Sequence, residues 1–274
     1  MRSCTFNITQ NSERRHSVGR RKPIRKRGPM RNGPSPVRQG EHPIDLYYAP
    51  TPNGWKVSIF LEEAELPYNI VSMRLGERDQ DSPSFRSINP NGRIPAIVDH
   101  APIEGDDPIS LFESGAILFY LADKIGRFLP TGVSERAAVM QWLMWQMAGL
   151  GPMAGQNGHF LLYAPGAAPY ATERFFNEVV RLYGVLDTQL ERLGPFICGD
   201  YSIADMACFP WIMTHKKQQI PMDRFPHVAR WFALVRQREA VQRGLAAGAG
   251  IASVNSVEAQ AARQKLIEAS RRPV

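Results

Sequence analysis

The sequence predicts an α/β unit followed by an all-helical one, and three observations carry that expectation. Four short β-rich apolar runs, at residues 44–48, 68–73, 96–98 and 109–112, are separated by helical or turn segments. From Ser134 onward the chain runs in long helical stretches rich in Ala, Leu, Met and Trp. Between the two textures, Leu129-Pro130-Thr131-Gly132 reads as a linker. The expected organisation is a tail at 1–42, an α/β domain at 43–128, a helical domain at 134–245 and a C-terminal tail at 246–274.

The first run ends in Tyr48-Ala49-Pro50-Thr51-Pro52-Asn53-Gly54 and leads into a helix whose apolar residues Val57, Phe60, Leu61 and Ala64 share one face. Thr51 suits the N-cap, and Pro52 suits the first helical position, where a missing N–H costs nothing. The free N–H groups of that turn make an anion site beyond the first strand, which a thiolate would satisfy. Taken by itself, Thr51 reads better as a cap and nothing more, since most caps bind nothing.

Next comes Asn91-Gly92-Arg93-Ile94-Pro95-Ala96, a turn followed by a proline that opens a strand, where no ladder donor is needed. Were Ile94–Pro95 cis, the Ile94 backbone could pair with an extended peptide, but trans is the ordinary state of such a bond. Leu111-Phe112-Glu113-Ser114-Gly115 then runs a strand into a helix. Ser114 offers a hydroxyl to a carboxylate and Glu113 a partner to an ammonium, together the recognition of an amino-acid head group. The plainer alternative is a strand–helix junction with a Ser cap.

With 274 residues, 43% of them hydrophobic, the chain can bury a substantial core, and no apolar run reaches the roughly 18 residues of a membrane span. The first 40 residues lack the apolar core of a secretory signal, so a soluble protein is expected. The net charge of +7 is concentrated at one end. Residues 1–42 hold 11 Lys and Arg against Glu13 and Glu41, a net +9, so the remainder carries −2. That distribution argues against nucleic-acid binding by the body of the molecule. The tail, with Pro23, Pro29, Pro34 and Pro36 and almost no apolar residues, is expected to be disordered. It reads as a solvated tail, a transit peptide, an electrostatic tether or an extension upstream of Met30. Cys4, Cys198 and Cys208 form no disulfide framework, zinc knuckle or C-x-x-C pair, and they suit a reducing cytosol. No metal is expected, because His159 stands at no ligand spacing from the other histidines.

In that order, a capped helix after strand one, a proline opening strand three, Glu-Ser after strand four and then an all-helical half resemble the cytosolic glutathione transferases. Thr51-Pro52-Asn53-Gly54, Phe60-Leu61-Glu62-Glu63-Ala64, Asn89-Pro90-Asn91 before Ile94-Pro95, and Trp142-Leu143-Met144-Trp145-Gln146 resemble the bacterial nu class, which are disulfide-bond reductases. The resemblance spans residues 44–245. It implies a thioredoxin-like N-terminal domain, an all-α C-terminal domain, a cytoplasmic homodimer and glutathione as co-substrate in the cleft between the domains. It further implies that Thr51 and Asn53 face the glutathione sulfur and that Ile94 pairs with the cysteinyl backbone. Glu113 and Ser114 would hold the γ-glutamyl end, Gln80 and Arg93 would bind the rest of the tripeptide, and Arg174 would reach across from the helical domain toward a carboxylate or, equally, stand as a solvated helical arginine. Ser202-Ile203-Ala204-Asp205 resembles the family's structural capping box.

No cysteine lies between residues 5 and 197, so disulfide exchange in such a cleft would need the thiolate of glutathione itself. The second substrate expected is a small disulfide, with a hydroperoxide or electrophile for side activity. A different class of function is also open: a glutathione-transferase-like binding or regulatory module localised by its basic tail. Trp142, Trp145, Trp211 and Trp231 read as core or dimer packing, and His159 as a polar contact for the second substrate or, as is commoner for a helical histidine, a structural residue.

Overall fold

In a computed structural model, the described residues are 42–249. The expectations for residues 1–41 and 250–274 lie outside them. The chain begins with β1 (Ile44–Tyr48), α1 (Pro52–Ala64), β2 (Tyr68–Ser72), α2 (Pro83–Ile88), β3 (Ala96–Asp99), β4 (Ile109–Phe112) and α3 (Ser114–Ile125). The strands make one mixed sheet in the order β2-β1-β3-β4. β1 runs parallel to β2 and antiparallel to β3, and β4 is antiparallel to β3.

The central strand is covered on both faces: Ile44, Leu46 and Tyr48 are fully buried, while Tyr47 turns the other way and meets Phe85 at 5.6 Å between ring centroids. Alternation along a strand has this consequence.

The helical half follows as α4 (Val133–Trp145), α5 (Gly151–Gly158), α6 (Pro169–Leu193), α7 (Ile203–Ile212), α8 (Pro226–Arg236) and α9 (Glu239–Ala246). Two π-helical turns, Gln146–Leu150 and His159–Tyr163, flank α5. The capping box at α7 forms as the sequence predicts. Ser202 accepts from the Ala204 N–H, and Asp205 accepts from the Ser202 N–H at 3.0 Å. Asp205 also takes the Ile197 N–H and the Trp231 Nε1–H, tying three segments to one fully buried carboxylate.

One expectation about α1 needs correcting. Its apolar stripe predicts a single buried face, yet Lys56, Ser58, Ile59 and Glu63 are buried as well. The helix lies between the sheet and the helical half, packed on α3, α7 and α9. Its polar groups find partners there: Ser58 Oγ donates to the Gly244 carbonyl at 2.7 Å, and Glu63 takes a two-pronged bond from Arg238. Contact is close enough that a Cβ on Gly244 would stand 2.6 Å from the Ile59 Cα.

Candidate functional site

The N-terminal turn of α1 is built as its sequence implies. Thr51 is the N-cap and its Oγ1 accepts from the Gly54 N–H at 3.1 Å, with Pro52 opening the helix. Since Pro52 has no N–H and that of Gly54 is taken, the Asn53 N–H remains as the turn's free donor. The Thr51 hydroxyl accepts in this bond, so its own proton is left to donate outward. Thr51, Pro52 and Asn53 line a cleft of about 1180 Å³ between the sheet half and the helical half.

The opposite wall comes from the turn before β3. Ile94–Pro95 is cis, where the sequence favours trans, and Ile94 and Arg93 line the cleft. Buried Asn89 braces this turn, donating from Nδ2 to the Arg93 carbonyl and accepting from the Asn91 N–H. Gly92 has φ +62°, and a Cβ there would stand 2.5 Å from the Arg86 guanidinium carbon, so the site requires glycine. Gln80 also lines the cleft, and its Oε1 is buried with no hydrogen-bond partner among the described residues.

At the end of β4, Glu113 and Ser114 reach the same cleft. Ser114 is not the cap of α3: Glu113 occupies that position, at φ +70° and exposed, and its side chain makes no cap bond. Buried Ser114 instead accepts from Lys56 Nζ at 3.2 Å.

Lys56 is a residue that reasoning from sequence missed. Its fully buried ammonium also donates to Gln146 Oε1 at 2.6 Å and contacts Met147 Sδ at 3.4 Å. Burial lowers its pKa to about 7, against the opposing fields of Cys208 and Glu113. Together with Asn53, Glu113 and Gln146 it lines a smaller cavity of about 340 Å³ beside the cleft. Trp211 was missed too. It lines both cavities and its Nε1–H donates to Asn53 Oδ1 at 3.1 Å, so it is more than packing. For neither is there a local signal, because the partners lie 58 to 158 residues away in sequence.

Two further expectations are resolved by position. His159 does line the cleft, beside Phe160 at 5.1 Å. Arg174 does not: it is exposed on α6, outside the cleft lining, and its field falls on Glu178 one turn along. Neither described cysteine lines the cleft. Burial raises the Cys198 thiol to about 12 and pushes that of Cys208 well up, so both are poor nucleophiles. Among the described residues, no three His, Cys, Asp or Glu side chains gather as a metal site would. No described helix is long and apolar enough to cross a membrane.

The geometry can hold an extended charged ligand, with an anion at the α1 terminus and an ammonium near Glu113. Comparison with known proteins agrees. Residues 42–123 match the glutathione S-transferase N-terminal domain. The chain is 53% identical over 203 residues to the disulfide-bond oxidoreductase YfcG of Escherichia coli, covering 74% of this chain and 94% of that protein. It is 41% identical to the disulfide-bond oxidoreductase YghU of the same organism, covering 79% and 78%. A crystal structure of a glutathione transferase from Pseudomonas putida, with one glutathione disulfide bound per subunit, superposes with a TM-score of 0.73 at 42% identity, covering 78% of this chain and 94% of that one.

Proposed function

Because the chain belongs to the glutathione transferase superfamily, we propose that it is a glutathione-dependent disulfide-bond reductase whose nucleophile is the thiolate of glutathione, with no protein cysteine taking part. The observation that carries this reading is the α1 terminus: a cleft with no cysteine among the described residues, facing a helix end with an uncommitted Asn53 N–H, a Thr51 hydroxyl proton and the Asn53 side chain. The names of the two Escherichia coli relatives and the glutathione disulfide in the Pseudomonas putida structure support the same chemistry.

The glutathione thiol loses its proton to solvent and its thiolate attacks one sulfur of the disulfide R–S–S–R′. An S–S bond forms to glutathione as the original one breaks, and R′S⁻ leaves. A second glutathione thiolate attacks the mixed disulfide, giving glutathione disulfide and RS⁻. Lowering a thiol pKa by two units takes about 2.7 kcal/mol. A helix terminus supplies about 0.3–1 kcal/mol, so hydrogen bonds to the charged sulfur, about 1.5–3 kcal/mol each, must carry most of it. Thr51 and Asn53 are therefore the catalytic pair in this reading.

Glu113 would take the γ-glutamyl ammonium and Ser114 the adjacent carboxylate, while Ile94 would pair with the cysteinyl backbone. Gln80, with its unpartnered oxygen, and Arg93 would hold the remainder. Arg174 has no part within a single chain. The second substrate is a small disulfide, a hydroperoxide or electrophile being reduced or conjugated by the same thiolate. A homodimer in the cytoplasm fits this reading.

The test is glutathione-dependent reduction of a small disulfide, coupled to NADPH oxidation through glutathione reductase, on wild type and Thr51→Ala. The reading expects kcat to fall far more than glutathione affinity. An unchanged kcat removes Thr51 from the mechanism. Retention on immobilised glutathione without turnover would make the protein a binding module.

A further inference from the structure

Asn53 carries a planar amide with an acceptor oxygen on one side and two donors on the other. Which side faces the cleft decides whether it helps or hinders a thiolate. An indole N–H can only donate. Since Trp211 Nε1 lies 3.1 Å from the Asn53 side chain, the atom it meets must be the oxygen, and the Nδ2 donors are turned away from it. No described group takes those donors, while Asn53 is half-buried in the cleft wall.

The indole is itself held. It lies along α5 where two residues have no side chain: a Cβ on Gly151 would stand 3.3 Å from Trp211 Nε1, and one on Gly155 3.5 Å from its six-membered ring. The missing side chain of Gly151 lets the indole nitrogen lie close to the α5 backbone, a Cβ on Gly155 would only touch the ring, and the Nε1–H meets the end of α1, 158 residues away in sequence.

We propose that Trp211 is a positioning residue for thiolate formation: by occupying the Asn53 oxygen, it forces the Asn53 NH2 group toward the glutathione sulfur. This rests on the proposed reading of Thr51 and Asn53 as sulfur contacts and adds that the helical half sets their polarity. Without the indole donor the amide is free to flip, and a flipped amide presents a carbonyl oxygen that repels the thiolate.

The test is titration of the thiol of bound glutathione, followed by the ultraviolet absorbance of the thiolate, which requires binding but no turnover. Trp211→Phe keeps an aromatic ring and removes the donor. It should raise the bound thiol pKa by about one unit, a tenfold fall in thiolate below that pKa, with little change in glutathione affinity. Asn53→Ala should raise it similarly, and the double variant should add nothing to Asn53→Ala. Asn53→Asp keeps the acceptor for Trp211 and leaves its packing intact, so it tests the idea even if Trp211→Phe folds poorly. A carboxylate facing the sulfur should raise the thiol pKa further than alanine does.

A wild-type thiol pKa below that of free glutathione and unmoved by Trp211→Phe overturns the proposal and leaves the reductase reading standing, whereas one unmoved by Asn53→Asp overturns the proposal and removes Asn53 from the sulfur as well. A wild-type complex whose thiol titrates as free glutathione does overturns both.

Discussion

Lys56 Nζ donates to Gln146 Oε1 at 2.6 Å, joining the first helix of the sheet half to the first π-helical turn of the helical half through a fully buried ammonium. The folded pKa of about 7 lies below the ordinary 10.5, so between those values the unfolded chain binds the proton more tightly. Unfolding is then favoured by protonation, and stability rises as pH climbs through the window, by up to about 1.4 kcal/mol per unit. Urea unfolding of wild type and Lys56→Met from pH 7 to 10 should show wild type gaining on the variant. A constant difference would mean that Lys56 does not titrate in this range.

Thr51 has a structural role separable from chemistry. Its Oγ1 caps α1 through the Gly54 N–H, so Thr51→Ala should cost about 1 kcal/mol in thermal or urea unfolding. Thr51→Ser keeps the hydroxyl and should restore both the stability and the rate, whereas restored stability without restored rate would assign the methyl group a role.

The buried carboxylate of Asp205 accepts from the Ile197 and Ser202 N–H groups, the Ser202 hydroxyl and the Trp231 indole. Burial raises its pKa to about 6 while those four donors pull the other way. Asp205→Ala leaves buried donors unpaired at about 1–3 kcal/mol each, so a loss of at least about 3 kcal/mol is expected. A shift in urea midpoint equivalent to less than about 1 kcal/mol would mean that water replaces the carboxylate.

Where α9 meets α1 there is no room for a side chain. A Cβ on Gly244 would stand 2.6 Å and 2.7 Å from the Ile59 backbone atoms Cα and N. Gly244→Ala should therefore destabilise by about 1–3 kcal/mol even though alanine favours helices. A variant as stable as wild type would show that α9 can slide outward freely.

The strands were legible because short β-rich apolar runs bounded by proline and glycine announce themselves, and two signals of the site, Thr51-Pro52 and Glu113-Ser114, sit at strand ends where local rules apply. The roles of Lys56, Ser58 and Trp211 were not legible, since their partners lie 58 to 186 residues away and nothing local marks them. Lys56 and Ser58 look like solvated positions beside a clean apolar stripe until the second half of the chain covers them. Arg174, placed by analogy and readable equally as a solvated helical arginine, stands exposed on α6 outside the cleft lining. Ser114 lines the cleft and also accepts from buried Lys56, a bond that no feature of its own turn announces.

Synthesis runs from the amino terminus, so α1 leaves the ribosome long before its partners exist. Gln146 comes later, and Arg238 and Gly244, which satisfy Glu63 and Ser58, come near the end of the described chain. A nascent sheet half therefore waits with a charged lysine, a hydroxyl and a carboxylate on a surface meant to be dry. The cleft-lining turn at Thr51 belongs to that waiting helix, so the earliest-made part of the candidate site is among the last to be completed.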